Sequence, residues 1–173
     1  NRGYMVLPLK EYFRDVVASD IHDYGLGYPQ HDFLMPFAPT QQAVVNDWII
    51  TNPPFRLALD IIKRGIEVAT VGVAVLVRSA FEEGIDRYEQ LFQQLPPTLM
   101  GVFTERVIMH KGVLRDPSKM YFDEATGTMK RPSTATSYKW MVWIEGMSPR
   151  PQIWIPPCRR ALERPSDYPE IAV

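Results

Sequence analysis

The chain has 173 residues, of which 46% are hydrophobic and 23% charged, and its formal net charge is -1. These values indicate one ordinary globular domain and exclude a strongly basic surface, so any contact with nucleic acid needs a local patch. The longest aliphatic run, VGVAVLV, is too short to span a bilayer. The single cysteine, Cys158, excludes an internal disulfide and is expected to be inert, which favours a reducing, cytoplasmic setting.

The first half of the chain predicts short elements followed by longer ones. YMVLPLKEYF is expected to form a short helix, DVVASD a short strand and HDFLMPF an edge strand. The continuous apolar segment DWIITN predicts a strand that is buried on both faces. FRLALDIIKRGIEVA has helical spacing, TVGVAVLVRS is a second buried strand, and SAFEEGIDRYEQLFQQL is an amphipathic helix that ends at two prolines.

The second half predicts a strand in TERVIMH, a long polar loop over residues 111–136, and two strands in SYKWMVWIEG and PQIWIPP that are joined by a turn. Trp140, Trp143 and Trp154 are expected in the core or in cross-strand pairs. Strands that alternate with helices predict an α/β fold with a mostly parallel sheet and helices on both faces, and the last strand pair adds an antiparallel member. Ligands of such sheets bind at the carboxyl ends of the strands.

One of these strand ends carries the segment Asn52-Pro53-Pro54-Phe55. Two consecutive prolines stop a strand, so this segment is expected to be a stiff turn. The amide oxygen of Asn52 and the carbonyl of Pro53 are two acceptors that can hold both hydrogens of an amino group. Phe55 offers a flat face on which a planar ring can stack. The alternative is a strand exit that happens to contain two prolines.

Four acidic or glycine positions are candidates for binding a nucleoside. Asp20, at the end of VVASD, can accept the hydroxyls of a ribose, although it can equally be a cap or turn residue, and Asp23 is a second candidate. Asp32 can accept from an adenine amine with Phe33 against the ring, or it can be a turn residue. Gly3 precedes the first helix, where a glycine permits close approach of a ligand.

Together these segments resemble the S-adenosylmethionine-dependent N6-adenine DNA methyltransferases of phage and prophage type. NPPF matches the catalytic motif of that family, usually written [DNS]-P-P-[YF], and is the only highly specific match. NRGYM resembles the end of the cofactor motif, VVASDIHDYG the next strand with its ribose-binding acid, and HDFL the adenine-contacting segment. The segments VGVAVLVRSAFEEG, RYEQLF, TERVIMHKG and SYKWMVWIEG resemble the later strands and helices in order.

The resemblance implies a single methyltransferase domain over residues 1–173, with a Rossmann-like class I sheet and a late antiparallel hairpin strand. It implies that S-adenosylmethionine binds at Gly3, Asp20, Asp32 and Phe33, that Asn52, Pro53, Pro54 and Phe55 hold the N6 amine of a flipped adenine, and that no metal is needed. The central first strand of the family has no match here, so we expect it upstream of Asn1. The implied setting is the cytoplasm of a bacterial or phage-infected cell.

Contact with DNA requires positive charge, and the insertion at residues 110–136 carries a modest basic excess. The alternative is a solvated loop with no partner. A homodimer is possible, because so small a chain implies a short recognition sequence or help from a partner. The cations predicted to contact DNA are Lys111, Arg115, Lys119, Lys130 and Arg131.

Other substrates and a different class of function remain open from the residues. The same turn suits cytosine N4, an RNA base or the amide of a protein glutamine. A non-catalytic methyltransferase-like binding module is the second class: the intact Asn52–Phe55 turn argues against it, and the unmatched glycines upstream argue for it.

Overall fold

The computed structural model describes residues 3–36, 45–109 and 114–168. The chain divides into two compact units. The first, called here the terminal unit, comprises Asn1–Pro36, Met109–Ser133 and Glu163–Val173; the second, called the sheet unit, comprises Phe37–Ile108 and Thr134–Leu162. In the described residues no helix combines the length and the apolar character needed to cross a membrane.

The sheet unit is built on a five-stranded mixed sheet. Its strands are β1 (Asn46–Thr51), β2 (Ala69–Arg78), β3 (Leu99–Phe103), β6 (Tyr138–Ile144) and β7 (Ile153–Ile155), in the order β1-β2-β6-β3-β7. β1 is parallel to β2 and β3 is parallel to β7, whereas β6 is antiparallel to both β2 and β3. Four strands therefore run in one direction and β6 alone is reversed, which confirms an α/β fold with a predominantly codirectional sheet.

Helical segments connect these strands. α2 (Ala58–Val68) follows β1 as predicted, because its apolar residues recur at helical spacing. The helix predicted after β2 is divided into a 3-10 turn at Ser79–Glu82, α3 at Ile85–Arg87 and a π-helical turn at Tyr88–Phe92. Gly84 interrupts it with a φ of 135°, a conformation that other residues rarely adopt.

The core lies on one face of the sheet. Val73, Val75 and Val77 alternate along β2 and are buried there against Ala58 and Ile62 of α2. The cluster extends across the sheet to Met141 and Trp143 of β6 and to Phe81 and Leu91 of the divided helix. α2 and the divided helix therefore cover the same face of the sheet. The prediction was helices on both faces, and in the described residues it is met on one face only.

The opposite face brings an aromatic side chain against the backbone. The six-membered ring of Trp48 lies over Gly72, where an added Cβ would be 2.8 Å from the ring and 2.5 Å from the Trp143 carbonyl oxygen. Glycine is therefore required at this crossing of β1, β2 and β6. Of the three tryptophans predicted to lie in the core or in cross-strand pairs, Trp143 is buried and Trp140 is half-buried, whereas Trp154 is 65% exposed and is paired across the strands with Val102.

Several short strand predictions are wrong. The described part of TERVIMH, residues 104–109, is not a strand, and β3 instead occupies the preceding LMGVF. HDFL forms a turn, and VVASD contributes only an isolated bridge between Asp20 and Gln30. The late strands do not form a hairpin, because β3 lies between β6 and β7 in the sheet.

The terminal unit contains local structure of its own. α1 (Val6–Leu9) lies within the helix predicted at the start of the chain. The segment predicted as a polar loop contains a hairpin of β4 (Tyr121–Asp123) and β5 (Thr128–Lys130). Arg164, before a 3-10 turn at Pro165–Asp167, pairs with Glu11 at 2.6 Å. In the sheet unit, α4 (Arg159–Leu162) follows β7.

Candidate active site

The site is built at one edge of the sheet unit. Because β1, β2 and β3 run in one direction, their last residues, Thr51, Arg78 and Phe103, lie at the same edge. β6 is reversed and therefore begins there, with Tyr138 directly opposite Arg78 in the register. This edge is the one at which the sequence predicts the ligand.

The Asn52–Phe55 segment follows β1 at this edge and forms a turn that leads into α2. The carbonyl of Pro54 accepts the Leu57 N–H at 2.9 Å, which closes the turn. Within the described part of the chain, no hydrogen bond reaches the carbonyl of Pro53. Pro53 is buried, whereas Asn52 and Pro54 are exposed. The Pro54 carbonyl therefore closes the turn. The Pro53 carbonyl remains as an acceptor next to the exposed Asn52.

Phe55 lies on the surface of this edge rather than in the core. Its side chain is 41% exposed, and its ring centroid is 6.4 Å from that of Tyr138 with the planes tilted by 33°. The guanidinium carbon of Arg78 lies 3.8 Å from the Phe55 centroid, in the geometry of a cation–π contact. A flat aromatic surface is thus present at the strand end, as predicted, with an arginine over it.

A pocket of about 250 Å³ lies beside Tyr138 at the same edge. Its wall includes Thr104, Glu105, Arg106 and Ser137. The Glu105 carboxylate accepts the Arg159 Nε–H at 3.2 Å, so its charge is paired. Arg106 is exposed and donates from Nη1 to the Ala135 carbonyl at 3.2 Å. The pocket therefore contains Glu105, whose charge is balanced by Arg159, and Arg106, which is held in place by the Ala135 carbonyl.

The residues predicted to bind the cofactor all belong to the terminal unit. Gly3 has a φ of 73°, and an added Cβ would be 2.7 Å from the Tyr28 hydroxyl. Two residues beyond Tyr28, Gln30 forms the bridge with Asp20. Asp32 and the half-buried Phe33 follow directly. The fold of this unit therefore brings the four candidates into one local neighbourhood, although they are widely spaced in sequence.

Both acids also take part in turns. Asp20 Oδ1 accepts the His22 N–H at 3.0 Å, and Asp32 Oδ1 accepts the Leu34 N–H at 3.0 Å. Partial burial raises the pKa of the Asp20 carboxyl, but hydrogen bonding, including that from His22, more than offsets this and leaves the pKa below its ordinary value. The lowered pKa favours the carboxylate form of Asp20 at neutral pH.

Most of the cations predicted to contact DNA are engaged within the terminal unit. Lys119 pairs with Asp116 at 3.8 Å, and Lys130 forms an ion pair with Asp123 across the hairpin. The guanidinium of Arg115 lies 4.0 Å from the centroid of the Tyr121 ring. Arg131 is exposed, and Lys111 lies outside the described residues. The hairpin therefore presents less unpaired positive charge than its composition suggests.

Sequence reasoning missed three residues at the sheet edge: Arg78, Arg106 and Tyr138. The signal for Arg78 was present, because it ends the buried strand VGVAVLV one strand away from Asn52. Arg106 and Tyr138 required the correct position of β3 and the register of β6, neither of which a single sequence supplies.

The described residues offer neither a group of side chains that could hold a metal ion nor a disulfide. Across residues 3–36, 45–109 and 114–168, no three His, Cys, Asp or Glu side chains are grouped to hold a metal ion. Cys158 is a half-buried free thiol. Comparison of the chain with protein-family models, with curated proteins and with solved structures found no match.

Proposed function

We propose that this protein transfers a methyl group from S-adenosylmethionine to the exocyclic N6 amine of adenine in DNA. One observation carries the proposal: the turn after β1 places an exposed Asn52, a Pro53 carbonyl with no hydrogen bond from the described residues, and a partly exposed Phe55 ring at the carboxyl edge of the sheet. Two acceptors beside a flat ring are the chemistry needed to hold an amino group on an aromatic plane.

The turn acts by positioning the amine. The target adenine must leave the duplex, because its N6 amine cannot be reached while the base is stacked. Asn52 Oδ1 and the Pro53 carbonyl each accept one N6 hydrogen, which draws the nitrogen toward tetrahedral geometry and exposes its lone pair. Phe55 fixes the plane of the base, and this orientation supplies most of the rate enhancement. Bound S-adenosylmethionine would supply an electrophilic methyl group: the N6–carbon bond would form as the methyl–sulfur bond breaks, S-adenosylhomocysteine would be the leaving group, and N6 would then lose one proton to solvent.

The terminal unit carries the residues that would hold this cofactor. Asp20 would accept from ribose hydroxyls, and Asp32 and Phe33 would contact the adenine. The space that Gly3 leaves by lacking a side chain is taken by the Tyr28 hydroxyl, so Gly3 would contact the cofactor only through its backbone. The clustering of these residues around the Tyr28–Gln30 segment supports the assignment.

The sheet supports the same proposal independently of the turn. The resemblance to the methyltransferase family predicts a mostly parallel sheet with one late reversed strand. β6 is such a strand, inserted between β2 and β3. The catalytic turn follows β1 and precedes α2 and β2, which is the order that the resemblance requires.

The experiment is transfer of tritiated methyl groups from S-adenosylmethionine to separate pools of DNA, RNA and protein, with wild-type chain and Asn52→Ala compared at equal folded concentration. Label in DNA that depends on Asn52 supports the proposal. Label in protein would assign the amide of glutamine as the acceptor, and label in RNA would assign an RNA base. No label in any pool would favour the non-catalytic binding module.

A further inference from the structure

Arg78 is an exposed residue that lies over the Phe55 ring at the end of β2. It is the last residue of β2, it is exposed, and its guanidinium lies 3.8 Å from the centroid of Phe55. No carboxylate within the described residues forms an ion pair with it. The residue therefore brings a positive charge to the ring on which the proposed reaction stacks its base.

The contact between Arg78 and Phe55 is weaker than the stacking of a base. A cation–π contact at an exposed site is worth about 0.5–1 kcal/mol. Stacking of a base on an aromatic side chain is worth about 1–3 kcal/mol. An incoming base can therefore displace the guanidinium, which stays at the same edge because its backbone is fixed in β2, opposite Tyr138.

Arg106 brings a second positive charge to the same edge. It lies at the rim of the pocket that Tyr138 also lines, and one of its donors is used by the Ala135 carbonyl. A guanidinium carries five N–H donors, so the remaining ones can serve a ligand. Glu105, the acid of this pocket, is already paired with Arg159, so it opposes an incoming anion only weakly.

We propose that Arg78 and Arg106 bind the DNA phosphates that flank the nucleotide whose base stacks on Phe55. Both are exposed, both lie beside Tyr138, and the guanidinium fork matches the geometry of a phosphate. In this arrangement Arg78 shields the Phe55 ring in the free protein and moves to a phosphate when the base arrives. The inference rests on the proposed function, and it moves the main backbone contact from the hairpin cations to the sheet edge.

The test is the salt dependence of binding to a short DNA duplex without cofactor. Each lost phosphate contact reduces the magnitude of the slope of log K against log salt by about 0.9. Between 50 and 200 mM salt, such a variant would therefore lose about three- to fourfold less affinity than the wild type does. Arg78→Gln and Arg106→Gln should each show this change, and Arg78→Lys and Arg106→Lys should restore most of the slope. Arg150→Gln, an exposed arginine whose backbone bonds to Thr98 before β3, should leave the slope unchanged.

A second measurement separates a phosphate contact from support of the ring. With 2-aminopurine at the target position, Arg78→Gln should keep the fluorescence change that accompanies transfer of the base from the duplex to the Phe55 ring, whereas Phe55→Ala should lose it. Wild-type slopes in both glutamine variants, or no measurable binding to DNA, would overturn the inference. Because no cofactor is present, a chain that shows the slope changes but transfers no methyl group would refute the proposed reaction and leave this inference standing.

Discussion

The rings of Phe55 and Tyr138 lie 6.4 Å apart, centroid to centroid, although the two residues come from different segments of the sheet unit in sequence. Tyr138 is buried and Phe55 is 41% exposed, so the buried ring supports one that faces outward. The pair links the turn after β1 to the first residue of the reversed strand β6. The turn at Asn52–Phe55 is therefore anchored by the tertiary fold as well as by its own prolines.

Replacing the Phe55 ring should weaken binding of DNA that contains a flipped or mismatched target base. Phe55→Ala should raise Kd about 5- to 150-fold, which corresponds to the loss of about 1–3 kcal/mol of base stacking. Phe55→Tyr should retain most of the affinity because its ring can still stack. Fluorescence anisotropy measures the effect.

Phe122→Ala is the matched control for this prediction, because Phe122 is a 59% exposed phenylalanine in the hairpin of the terminal unit. Its replacement should change Kd by less than about twofold if stacking is confined to the sheet edge. Equal losses from the two alanine variants would contradict the assignment of Phe55 as the stacking surface.

The ion pair between Lys139 and Glu82 should matter for stability. Lys139 is 5% exposed on the core face of β6, and its Nζ lies 2.8 Å from the Glu82 carboxylate. Glu82→Gln should lower the free energy of unfolding by about 1–3 kcal/mol, because it leaves a buried ammonium without its carboxylate. Lys139→Met combined with Glu82→Gln should recover most of this loss. Urea denaturation gives both values.

The neighbouring Glu83 provides the control for this ion pair. It is exposed and forms no ion pair among the described residues, so Glu83→Gln should change the free energy of unfolding by less than about 0.5 kcal/mol. If Glu82→Gln were as mild as Glu83→Gln, the buried ion pair would not contribute to stability.

Gly72 should not tolerate a side chain. An added Cβ would be 2.5 Å from the Trp143 carbonyl oxygen, a backbone atom that cannot move without disturbing the β2–β6 register. Gly72→Ala should therefore destabilise the chain by about 1–3 kcal/mol. Gly101→Ala is the comparison, since its closest neighbour, at 3.1 Å, is the end of the flexible Ile155 side chain. Thermal unfolding should give Gly72→Ala a clearly lower Tm than Gly101→Ala, and the reverse order of Tm values would contradict the described packing.

The carboxyl of Asp123 in the hairpin should titrate with a lowered pKa. The hydrogen bond from Lys130, followed by that from Thr126, holds the pKa of Asp123 below its ordinary value. A lowered folded-state pKa contributes stability that is present above the unfolded-state pKa and is lost as the pH falls through the folded value. NMR titration of the Asp123 carboxyl should show the low pKa, and Lys130→Met should raise it toward the ordinary value. An identical titration in this variant would show that the ion pair does not form in solution.

Long, regular segments made much of the sheet unit predictable from sequence. DWIITN, TVGVAVLVRS and SYKWMVWIEG formed β1, β2 and β6 because apolar runs of this length favour strands. The prediction that DWIITN is buried on both faces is wrong, because β1 lies at the edge of the sheet and its residues are half-buried or exposed. β3 was missed because LMGVF is short and contains Gly101, which weakens the local preference for a strand. In the terminal unit, the side chains of Asp20 and Asp32 bond to nearby backbone N–H groups, and these turns compete successfully with strand formation.

The candidate site likewise has a part that could be predicted from the sequence and a part that could not. The Asn52–Phe55 turn could be predicted because two prolines after a buried strand determine local geometry. The contact of Arg78 with Phe55 could not, because it joins the last residue of β2 to the turn after β1 and depends on how these two strands pair. The pairing of Lys130 with Asp123 likewise depends on a hairpin that the sequence indicates only as a polar loop.

The most direct test of the central claim is to digest DNA to nucleosides after incubation with the chain and S-adenosylmethionine, and to quantify methylated bases by mass spectrometry. The wild-type chain should produce N6-methyladenine. Asn52→Ala should reduce its formation at least about 100-fold, comparable to the loss of one preorganised hydrogen bond at a reacting centre. Gln93→Ala, an exposed amide after the π-helical turn, should retain full activity. Equal N6-methyladenine from the wild-type and Asn52→Ala chains, or none from the wild type, would contradict the assignment of this turn as the site of methyl transfer.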